Sequence, residues 1–174
     1  FNDATLYNPE TKSRITDATM KGSFTSREIL DVDKGVLHLQ GIKAKLNGEP
    51  FTAGFRLANF NDPDVRCSLK GLLDASAVLD FYPIDKVAGV EGSLMADVSF
   101  EGRTSLLKKK STAQRVRTSG TVELRNIGFS YDAKRLHVNH LSGNMQFNNN
   151  DLALSNVSGL LGKSDFVLNG FFKN

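Results

Sequence analysis

A chain of 174 residues is the size of one domain and long enough to bury about 70% of the surface its unfolded form exposes. Its one cysteine, Cys67, excludes an intramolecular disulfide and a cysteine-based zinc cage, and its apolar stretches break too soon to make a membrane-crossing helix. The formal net charge is +3, yet Arg103 to Arg117 alone carries six basic residues and no acid, so the basicity belongs to one tract and the remainder is net acidic.

Taken in chain order, the first strand is expected near Ala4 to Tyr7 and ends at the turn Asn8-Pro9-Glu10, where proline fixes φ. The second runs from Arg14 to Phe24, with Ala18, Met20, Gly22 and Phe24 on one face. Residues 25 to 34 form a polar connector with room for a helical turn over Ser26 to Leu30. Val36 to Leu46 and Phe51 to Leu57 then alternate on either side of Asn47-Gly48-Glu49-Pro50, a strong hairpin signal. After a strand over Val65 to Leu73 the period changes. Asp74 is placed to cap a short helix that reaches Tyr82 and stops at Pro83. Two turns do not stand alone in water, so this helix must dock, either as a plug at one end of a groove or, the favoured use, as cover for a sheet edge. A strand over Val90 to Phe100 leads into the basic tract, which reads as a solvated mobile loop. Its functional alternative is attraction to anionic head groups through Lys108, Lys109, Lys110, Arg115 and Arg117.

The last third, RLHVNHLSGNMQFNNNDLALSNVSGLLGKSDFVLNGFF, is an antiparallel three-stranded meander, with turns at Asn148 to Asp151 and at Gly162-Lys163. Its alternation slips phase between Val138 and Leu141 and between Leu154 and Val157. The same slip falls between Leu124 and Ile127 and between Leu39 and Ile42. One extra residue in a strand is the mark of a β-bulge, which keeps the apolar set on one face and bends the strand. Four such slips predict a crease and a strongly curved sheet. At a constant offset of 99, Leu37-His38-Leu39-Gln40 lies on Leu136-His137-Val138-Asn139, and Leu69 to Leu73 lies on Leu168 to Phe172. The chain therefore divides into a repeat unit A over about 14–73, a connector over 74–117 and a unit B over about 118–172, within a single β domain of residues 1–174.

The pattern LxVxxLxGxMxFxNxxLxLxxVxGxxGxSxFxLxG, residues 136 to 170, resembles the repeat of the AsmA family, the AsmA/TamB/YhdP-like bacterial envelope proteins. Residues 35 to 76 are similar to another stretch typical of that family, and together the likeness covers most of 33 to 172. It rests on glycines and apolar residues at set spacings, without a signature polar residue. The resemblance implies an elongated, taco-like β groove that carries phospholipid between envelope membranes, in the periplasm, with an anchor outside this slice of a longer protein. Groove candidates are Ala44, Leu46, Leu141, Gly143, Met145, Phe147, Leu154, Val157, Gly159 and Leu161. The small members, Ala44, Gly143 and Gly159, serve either as relief for the bend or as room for acyl chains.

Catalytic patterns are weak. The acids are scattered singly, and His137 and His140 stand three apart on a strand, where they face opposite sides unless the bulge intervenes, so no metal or other cofactor is expected. Lys109-Lys110-Ser111-Thr112 ends like a phosphate loop without its glycines. Nucleic acid is disfavoured because no aromatic residue interleaves the basic tract. Cys67 shares parity with Val65 and Leu69 and reads as a small core hydrophobe. The leading expectation is thus a lipid-handling groove. The alternative is a structural or protein-binding β module with a closed core, and an enzyme comes third.

Overall fold

The computed structural model describes residues 2–9, 13–26, 32–81, 84–107, 115–132, 136–149 and 151–173. Ten strands form one antiparallel meander in which every strand pairs with its neighbour in sequence. They are β1 (Ala4–Tyr7), β2 (Arg14–Thr25), β3 (Val36–Leu46), β4 (Glu49–Ala58), β5 (Asp64–Asp74), β6 (Val87–Arg103), β7 (Arg117–Tyr131), β8 (Leu136–Asn148), β9 (Asp151–Leu161) and β10 (Ser164–Phe172). The β3–β4 hairpin pairs Leu46 with Glu49 across a two-residue loop. Asn47 and Gly48 both take positive φ there, as a type I′ turn requires.

Two short helices accompany the sheet, α1 (Ala75–Phe81) and α2 (Thr104–Leu107), with a 3-10 turn at Val32–Lys34. Asp74 caps α1 as its sequence position predicts: Oδ1 accepts from the Ala77 amide at 2.9 Å. α2 was not expected. It lies inside the tract read as a loop, and Asp62 holds its start by accepting from the Ser105 hydroxyl at 3.0 Å. The helical turn expected over Ser26 to Leu30 falls mostly outside the described residues, as do Lys108, Lys109 and Lys110.

All four predicted phase slips are register shifts in the strand pairing, and two more occur in β2 and β6. Each shift has one residue in the left-handed region: Asp17, Gly41, Gly89, Asn126, His140 and Asn156, with φ between 52 and 62°. Glycine and short polar side chains adopt this conformation at least cost, and His is several-fold enriched in it. Gly41 and His140 stand 99 positions apart, so the repeat offset carries the bulge with it.

The curvature read from those slips is corrected by the structure. The sheet is neither closed nor strongly curled: β1 and β10 remain its two edges. Bulges occur in β2, β3 and β6 to β9, whereas β4 and β5 pair without a shift, so the crease does not cross the sheet. Each bulge adds twist to its own strand rather than a continuous fold line.

The use expected for α1 is also corrected. It packs on β5 and β6, interior strands, and covers part of a sheet face rather than an edge. Ala77, fully buried on α1, joins Leu46, Leu73 and Ala96 in a core cluster, with Ile15, Phe51, Leu69 and Val122 packed around it. At the far side the buried Ser13 hydroxyl donates to Asp80 at 2.5 Å and ties α1 to the start of β2. Ser13 is only 2% exposed, and this bond gives its hydroxyl an acceptor.

Candidate functional site

Cross-strand partners lie on the same face, so the register traces what that face presents. Ala44, Phe51, Gly71, Ala96, Val122, Met145 and Leu154 are successive partners from β3 to β9. Beside them runs Ile42, Ala53, Leu69, Val98, Gly120, Phe147 and Leu152. Six steps of about 4.8 Å make each row roughly 29 Å long. The opposite face carries exposed ion pairs, among them Lys45–Asp17, Arg66–Glu101, Lys70–Asp97 and Arg125–Glu123. The sheet is therefore apolar on one side and charged on the other.

Only part of the apolar face has a second layer. Beyond neighbouring strands, the substantial contacts among the described residues are those of α1 with β5 and β6 and of α2 with β6. The chain exposes 11721 Å². A compact protein of this mass would expose about 8,400 Å². The excess is what a single layer leaves open.

The groove candidates divide accordingly. Ala44 and Leu46 lie on β3; Leu46 belongs to the cluster under α1, and both are buried. Leu141, Gly143, Met145 and Phe147 on β8 and Leu154 and Gly159 on β9 are half-buried, Val157 is buried, and Leu161 is 42% exposed. These eight adjoin one another on paired strands, and the apolar row through Met145 and Leu154 links them to Ala44. At Gly143 the backbone has φ 146°, and an added Cβ would come within 2.5 Å of the Val157 Cα. A Cβ on Gly159 would meet the Leu141 Cα at 3.1 Å. In both cases the small residue lets adjacent backbones approach at the bulges.

An apolar cleft of about 250 Å³ opens where α1 meets β6 and β7, lined by Val78, Leu79, Val90, Leu94, Leu124 and Ile127 among others. Strand alternation places Leu94, Leu124 and Ile127 on this face, but nothing local to them says that α1 stands over one end. Of the head-group candidates within the described residues, Arg115 and Arg117 are exposed, and Arg117 sits opposite Glu101.

The Asp17 carboxylate, through its hydrogen bond, raises the Lys45 pKa, and Asp97 does the same for Lys70. The Arg125 hydrogen bond lowers Glu123. Burial pushes the Cys67 thiol up, away from the reactive thiolate. His140 Nδ1 lies 2.7 Å from Asn126 Oδ1, and His137 Nδ1 lies 3.1 Å from the Ser130 hydroxyl, so the two histidines have different partners. Among the described residues no three His, Cys, Asp or Glu side chains are grouped to hold a metal ion, and no helix is long and apolar enough to cross a membrane.

No family model, curated protein or solved structure matches the chain.

Proposed function

We propose that this chain is a lipid-handling segment of an AsmA-like envelope protein, acting in the periplasm without catalysis and holding phospholipid acyl chains against the apolar face of its sheet. The observation that carries the reading is the face of β8 and β9, where Met145 opposite Leu154 and Phe147 opposite Leu152 continue the apolar rows beyond α1, with no helix or second sheet in substantial contact among the described residues. Each CH₂ that leaves water gains about 0.8 kcal/mol, so a sixteen-carbon chain laid along such rows gains up to about 12 kcal/mol before the cost of ordering it. α1 bounds the face at one end, and its apolar cleft gives a chain terminus a seat. Arg115 and Arg117 close the basic tract that would meet anionic head groups.

Mass spectrometry of an organic extract from natively purified protein tests the proposal. Phospholipid or co-purifying detergent is expected in the parent. Met145→Glu should stay folded, because Met145 is only half-buried, and should come out empty. A parent that carries no lipid and takes up none from labelled vesicles overturns the reading. In that case the open face belongs to a structural or protein-binding β module, whose partner covers β8 and β9.

A further inference from the structure

The charged face holds a second feature, independent of the acyl-chain reading. Across β3, β4 and β5 lies an open depression of about 820 Å³ whose rim includes His38, Lys43, Arg56, Arg66 and Lys70. His38, Arg56 and Arg66 are direct cross-strand partners in one row, and Lys43, Thr52 and Lys70 are partners in another. Between the rows the floor is Gly54 opposite Ser68, two small residues that leave the space open. The nearby acids of β6, Asp97 and Glu101, are engaged by Lys70 and Arg66 at 2.7 Å. Lys43 and Arg56 have no carboxylate at ion-pair distance among the described residues. The depression thus holds two more cations than acids.

Like charges placed directly opposite on neighbouring strands destabilise a sheet, and Arg56 faces Arg66, whose acid partner Glu101 lies on the far side, on β6. A bound anion removes that repulsion. Two guanidinium forks and two ammonium groups around a small-residue floor suit an oxyanion with several acceptor oxygens. We infer that this depression binds a phosphate or pyrophosphate group, with Arg56 and Lys43 as its unengaged cations and Gly54 as the residue that keeps its floor open.

Titration of the isotope-labelled protein with inorganic pyrophosphate at low salt, followed by amide chemical shifts, tests the site. Shifts should centre on β3 to β5. Arg56→Gln should weaken binding about tenfold, whereas Lys163→Gln, an equal charge change at the exposed β9–β10 turn, should leave it within about twofold. Gly54→Val alters no charge, and its Cβ would meet only the movable Ser68 hydroxyl, at 3.1 Å, so it should fold and lose binding. Equal weakening by Arg56→Gln and Lys163→Gln, undiminished binding by a folded Gly54→Val, or shifts spread over the whole charged face would each reduce the depression to diffuse surface charge and overturn the inference. Sedimentation with phosphatidylglycerol vesicles distinguishes the ligand's source. Competition by pyrophosphate assigns the site to a lipid head group, and its absence assigns it to a soluble phosphorylated ligand. Loss of this site would leave acyl-chain loading intact, so the two proposals fail separately.

Discussion

At Gly143 a single hydrogen atom decides whether two strands can meet. Its φ of 146° belongs to glycine, and the direction a Cβ would take is filled by the Val157 backbone. Gly143→Ala should therefore lower unfolding free energy by about 2 kcal/mol or more, measured by urea denaturation, because backbone cannot yield as a flexible side chain does. An unchanged midpoint would mean the strands have slack at the bulge. Gly54 is the contrasting glycine, with a movable hydroxyl in front of it and ordinary φ. Sequence shows both as glycines in alternating strands and does not separate them. What separates them is where the neighbouring strand lies.

At the scale of one element, α1 shows how a local signal and a tertiary one divide the work. Asp74 ends β5 and caps the helix through the Ala77 amide, an arrangement visible in the order of residues. Asp74→Ala should cost about 1 kcal/mol, and Asp74→Ser should keep most of that, because a serine hydroxyl can accept the same hydrogen bond. Thermal melts of the two variants check this; equal losses would mean the carboxylate acts in some way other than capping. The helix's destination was misread from sequence, since seven residues with an apolar side fit a sheet edge or a sheet face equally well. Packing of Ala77 against Leu46, Leu73 and Ala96 settles the matter, and it involves residues up to thirty-one positions away. The bulges are the opposite case. A one-residue slip needs a residue that tolerates positive φ, and Asn126, His140 and Asn156 stand where the apolar phase changes.

For the whole molecule the consequence of a single layer is size. A compact chain of 174 residues has a radius of gyration of about 16 Å. Small-angle scattering should give a clearly larger value, since ten strands lie side by side and, among the described residues, α1 and α2 are the elements that pack on them. A value at the compact figure would require the sheet to fold over on itself in solution, and would remove the open face on which the lipid proposal rests. The alternation of Leu136 to Leu168, the Asn47-Gly48 turn and the phase slips determined strand positions, the inward set and the bulges, because each is a property of a few consecutive residues acting through φ, ψ and the period of two. Whether the sheet curls, where α1 sits and which cations share a depression depended on tertiary structure. Those outcomes sum small twists over ten strands, and bulges that skip β4 and β5 sum to an open sheet. Arg56 and Arg66 lie ten residues apart in the chain and become neighbours only through the β4–β5 register.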